Sequence, residues 1–129
     1  MDDELVLRKI ANSVIQTMHE IPELNHLQVE QLHEIPLGFL RKDATRLHAV
    51  CRYRKGIAKS QISGPRDVRC VDVHPVALEN EFRLYAAFLL YHEFLHALGF
   101  TGHDRTFRRL EALWPNTNAT KMGQIFGLH

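Results

Sequence analysis

Apolar residues recur at three- and four-residue spacing through residues 3–20. Leu7, Ile10, Ala11, Val14 and Met18 there define one face of an amphipathic helix. Ile21-Pro22 ends it. Residues 27–35 mix two patterns: Leu27 and Val29 alternate as in a strand, whereas Leu32 and Ile35 fit a helical turn. The reading adopted is a strand, followed by a turn at Pro36-Leu37-Gly38. Residues 47–53 alternate cleanly. Leu47, Ala49, Cys51 and Tyr53 fall on one face, and His48, Val50, Arg52 and Arg54 on the other, which predicts a half-buried strand with a basic outer face. A polar loop from Lys55-Gly56 to Asp67 leads to a second short strand at residues 69–74, closed by Pro75.

Residues 84–100 are the most apolar run in the chain. Its length approaches that of a membrane span, but it carries one carboxylate and two imidazoles. It therefore reads as the buried central helix of a soluble domain, ended by Gly99. After Gly102-His103, Asp104 is a good N-cap for a helix over about residues 105–113, with Phe107, Leu110 and Leu113 on its apolar side. Trp114-Pro115 stops that helix, and residues 116–129 form a polar tail with a few apolar anchors: Met122, Ile125, Phe126 and Leu128. The expected class is α+β: an N-terminal helix, a small three-stranded sheet, a central helix and a short following helix.

The 129 residues, 45% of them hydrophobic, suit one domain spanning residues 1–129, with its core at about 45–115. Two cysteines exclude a disulfide-stapled scaffold and a four-cysteine zinc ribbon. Cys51 and Cys70, on neighbouring strands, read as free buried thiols. The acidic start Met1-Asp2-Asp3-Glu4 lacks the basic and apolar regions of a secretory signal, so the expectation is a cytoplasmic protein without membrane contact. Net charge is +1, but unevenly spread: residues 1–40 carry −5 and residues 41–69 carry +7. That basic block either contacts phosphate or an acidic protein surface, or is a solvated face neutralised by the acidic N-terminal third.

The chemistry concentrates in His92-Glu93-Phe94-Leu95-His96, an H-E-x-x-H pattern inside the apolar helix. Four residues turn a helix through about 400°, so the two imidazoles stand one above the other and both reach one Zn²⁺. Glu93 flanks the open coordination position, where it can take a proton from zinc-bound water and pass it to a leaving amine. His103 is the expected third ligand, because Gly99 and Gly102 let the chain turn back. Asp104 and Glu111 are weaker alternatives, Asp104 also serving as the cap or as a partner that orients a ligand imidazole. Leaving two histidines and a glutamate unpaired in so apolar a helix would cost several kcal/mol, roughly.

His92–His96, Gly99, His103-Asp104, Phe107 and residues 110–115 together resemble the SprT-like zinc metallopeptidases and their WLM and YgjP-like relatives, small zincins. The resemblance covers about residues 45–115, with its motif in 92–107. It implies a minimal zincin-like fold, zinc on His92, His96 and His103, and Glu93 as catalytic acid/base. Several such proteins act on DNA-bound or DNA-crosslinked proteins, which would give the basic 41–69 segment a purpose. The third histidine stands one residue further from the second than is usual in WLM and YgjP-like chains. The expectation is a zinc-dependent endopeptidase acting on protein or peptide substrates. A zinc-containing nucleic-acid-processing factor and a non-catalytic zinc-stabilised binding module are the alternatives. His74 and Tyr85 are candidates for polarising a carbonyl, though a structural role suits each better. Either strand could pair with an extended substrate, and the C-terminal tail could cover the cleft.

Overall fold

The computed structural model describes residues 2–116 and 118–127, a mixed α+β arrangement around a three-stranded sheet. Helix α1 spans Asp3–His19, and the Asp2 carboxylate caps it by accepting from the Glu4 N–H at 3.0 Å. Val6, Leu7, Ala11, Val14, Ile15 and Met18 are buried, so the core-facing stripe is rotated slightly from the expected one and Ile10 is only partly covered.

Residues 27–35 depart from expectation. Val29–Glu34 is a 3₁₀-helix rather than a strand. Val29, Leu32 and Ile35 are buried, and their spacing of three matches the 3₁₀ turn, while Leu27 stays partly exposed. The expected turn at Pro36-Leu37-Gly38 is also corrected, because Leu37–Phe39 is strand β1. The Pro36 carbonyl accepts from the Val71 N–H at 3.0 Å, and β1 runs parallel to β3, Val68–Val73. Proline is tolerated there because β1 is an edge strand. Gly38 leaves room for a neighbour: a Cβ there would lie 2.6 Å from Asp72 Oδ1, so that carboxylate would have to shift.

Strand β2, Ala49–Tyr53, pairs antiparallel with the other side of β3, giving the order β1-β3-β2. Val71 and Val73 bury one face of the sheet, while on the other Arg52 binds Asp72 at 2.9 Å. Cys51 pairs with Val71 and Cys70 with Arg52, so the two free thiols project to opposite faces.

Helix α2, Arg83–Ala97, runs beneath the sheet with ten buried residues, although Leu84 at its start is exposed. Helix α3, Arg105–Glu111, begins at Asp104, whose Oδ1 accepts from the Phe107 N–H at 2.9 Å. The Tyr91 hydroxyl donates to the Leu110 carbonyl and ties α3 to α2. The tail is not simply a polar extension: Ala119–Phe126 is helix α4. Its anchor, Phe126, is buried among His48, His74, Phe82 and Tyr85, two helical turns before His92. Among the described residues, no helix is long and apolar enough to cross a membrane.

Candidate metal centre

Helix geometry, a glycine turn and one aromatic ring bring three histidines together. His92 and His96 share a face of α2, with ring centroids 4.9 Å apart. Gly99 then reverses the chain at φ 115°, a conformation that side-chain-bearing residues rarely adopt. His103 returns over the helix: its Nε2 lies 3.1 Å from His96 Nε2 and 3.3 Å from His92 Nε2. Phe107, fully buried on α3, is the floor of the site. Its ring stacks on His96 at 4.5 Å and meets His92 and His103 edge-on at 4.8 and 5.1 Å.

The far nitrogens decide what the near ones can do. His96 Nδ1 lies 2.8 Å from the Phe100 carbonyl, which only accepts, so this nitrogen carries the hydrogen. His92 Nδ1 lies 2.6 Å from Glu111 Oε2, which sets the same tautomer. Burial lowers the proton affinity of both rings, that of His96 to about 4, so both are neutral near neutrality. Their Nε2 atoms then both present lone pairs to His103 Nε2, and the one hydrogen that a ring nitrogen can carry cannot satisfy both. A cation resolves this. The N···N edge of a tetrahedral site with bonds of about 2.0–2.1 Å is about 3.3–3.4 Å, close to the spacings found. Three histidines are thus positioned to bind a metal ion.

Glu93 is not part of the trio. It is buried, and its Oε2 stands 4.0 Å from His92 Nε2. Burial pushes its carboxyl up to about 7, opposed by a hydrogen bond that it accepts from the Cys51 N–H of β2. Two further rungs join β2 and the residue just before it to α2. His48 Nδ1 meets the Tyr85 hydroxyl at 2.6 Å, and the Tyr53 hydroxyl donates to the His96 carbonyl at 3.2 Å. The edge strand is therefore held along the helix that carries the histidines.

His92, His96 and His103 lie together, and Glu93 stands beside them. The alternative ligands fall outside the trio: Asp104 caps α3, and Glu111 orients His92. His74 is committed to the Ala44 carbonyl and the Val76 N–H, and Tyr85 to His48. Neither is available to polarise a carbonyl. The roles of Phe107 as floor and of the Phe100 carbonyl as tautomer lock escape a reading of side-chain patterns. The first depends on the rotation of α3 and the second on a backbone atom. Comparison of the chain with family models, with curated proteins and with solved structures finds no match.

Proposed function

We propose that this chain is a zinc-dependent endopeptidase with a minimal zincin-like, SprT-like architecture. The observation that carries the reading is the pairing of a three-imidazole donor set with a buried carboxylate just outside it, Glu93, 4.0 Å from His92 Nε2. Three neutral nitrogen donors suit zinc, and the ion would supply Lewis acidity toward a peptide carbonyl and an acidified water. The remaining chemistry belongs to the chain. Glu93, with a proton affinity near neutrality and a carboxylate aimed by the Cys51 N–H, accepts the attacking water's proton and returns it to the departing nitrogen. The outer edge of β2 offers an extended substrate a strand to pair with.

The test is cleavage of unfolded protein by metal-loaded wild type and by Glu93→Gln. The proposal expects turnover in the first, loss of at least about a hundred-fold in the second, and equal zinc in both. Equal activity in both would contradict it. A folded, zinc-loaded wild type without turnover would favour the binding module.

The arginines of the basic block gather in two places, which favours DNA-associated protein substrates. Arg41, Arg46 and Arg52 line one cavity; Arg54, Arg66 and Arg69 line another. DNA affinity should fall steeply with salt and weaken in Arg46→Ala and Arg69→Ala. Affinity indifferent to salt and to both substitutions would remove DNA from the account.

A further inference from the structure

Beyond the metal centre, a cavity of about 400 Å³ opens between the loop at residues 42–45, the start of β2 and the end of α4. Its size falls in the range of small-ligand pockets. Val76 and Phe126 supply apolar wall, and Lys42, Thr45, His48 and His74 supply polar groups. The metal centre uses none of these residues.

The hydrogen-bond directions in this cavity can be assigned. His74 Nδ1 accepts from the Val76 N–H at 3.2 Å, so its Nε2 carries the hydrogen and donates to the Ala44 carbonyl at 3.1 Å. His74 is thereby satisfied, and it pins the 42–45 loop as a preformed wall. At His48 the neighbour is the Tyr85 hydroxyl, whose hydrogen has no other acceptor among the described residues, so it is donated to Nδ1. The remaining hydrogen of a neutral His48 is then on Nε2, which becomes a donor without a partner among the described residues. The Lys42 ammonium has no ion pair among the described residues either, whereas the one carboxylate in the lining, Asp43, faces Arg41 at 3.5 Å. The groups left to a ligand are thus an ammonium, an imidazole N–H and the Thr45 hydroxyl, beside an apolar wall.

We propose that this cavity binds a carboxylate carried on a short apolar chain, with Lys42, Thr45 and the His48 Nε2–H holding the acid group and Val76 and Phe126 covering the tail. The carboxylate can belong to a free organic acid or to an acidic residue of a peptide. Because His48 also forms the rung to Tyr85, a ligand here touches the bond that holds β2 to α2.

The test is titration of the metal-loaded chain with sodium hexanoate, followed by amide chemical shifts. The proposal expects saturable shifts centred on Lys42, Thr45, His48 and Val76. Lys42→Gln, an exposed position that leaves the core intact, should weaken binding about five-fold, and hexanol, with the same tail and no charge, should bind more weakly than hexanoate. An acetylated, amidated Ala-Glu-Ala peptide distinguishes the sources. Shifts of the same amides by the peptide point to a peptide side chain, and shifts by hexanoate alone point to a free acid. Equal binding of hexanol and hexanoate, indifference to Lys42→Gln, or shifts confined to the metal histidines would each overturn the proposal.

Discussion

His92 Nδ1 and Glu111 Oε2 lie 2.6 Å apart, across the gap between α2 and α3. The carboxylate fixes the tautomer and orientation of a metal-facing imidazole, and it is itself 3.7 Å from the Arg108 guanidinium. A partner of this kind raises ligand basicity, and its loss typically costs about 10–100-fold in metal affinity. Glu111→Ala should therefore fold and bind zinc about 10–100-fold more weakly in competition with a chromogenic chelator. Glu111→Gln, which keeps an acceptor oxygen, should lose less. Wild-type affinity in Glu111→Ala would show that the contact positions nothing.

The turn at Gly99 joins backbone conformation to ligand chemistry. At φ 115° it carries the chain round so that the Phe100 carbonyl lies 2.8 Å from His96 Nδ1. Gly99→Ala should destabilise the fold by about 1–3 kcal/mol in urea unfolding, because a Cβ is strained at that angle. Zinc affinity should fall with it, since the acceptor that locks the His96 tautomer shifts. A variant that loses stability but keeps full affinity would separate the turn from the site.

The two kinds of buried group in the site pull stability in opposite directions with pH. Burial raises the Glu93 carboxyl to about 7, so the metal-free folded protein holds a proton there that the unfolded chain releases above about 4.5. That contribution is complete below the unfolded value and is lost as pH rises through about 7. His96, lowered to about 4, does the reverse: its contribution is complete above the unfolded value of about 6.5 and is lost as pH falls toward 4. In the metal-free protein, Glu93→Gln should therefore gain stability relative to wild type between pH 5 and pH 8, measured by thermal melts at matched ionic strength. A difference that stays flat, or that shrinks as pH rises, would contradict the burial of Glu93.

The parts of this protein that can be read in the sequence are those in which a local pattern has a single structural solution. The period of α1, the alternation from Ala49 to Tyr53 and the His-Glu-x-x-His spacing each correspond to an element found. Asp104 capped the helix expected of it. Residues 27–39 resist such a reading for a physical reason. Val29, Leu32 and Ile35 repeat every three residues, a period between those of strand and α-helix, and 3₁₀ structure realises it. Leu37–Phe39 looks like a turn because proline and glycine usually make one. Here an edge position excuses the proline, and the Asp72 carboxylate on the neighbouring strand lies close over the glycine. His92 and His96 were legible because histidine spacing on a helix is local, and His103 because the glycines before it let the chain turn back. Glu111 as partner and Phe107 as floor depend on how α3 crosses α2, and the Phe100 carbonyl as lock depends on the backbone turn at Gly99.

The central claim is the three-histidine site, and the most direct test is metal content per chain. Wild type and His103→Ala would be purified without added metal and analysed by elemental mass spectrometry, with circular dichroism to verify folding. The account predicts about one zinc per wild-type chain and a clear loss in His103→Ala, whose side chain is exposed and whose removal leaves the core intact. Full retention of metal by the variant, or a folded wild type that takes up no metal on reconstitution, would contradict it.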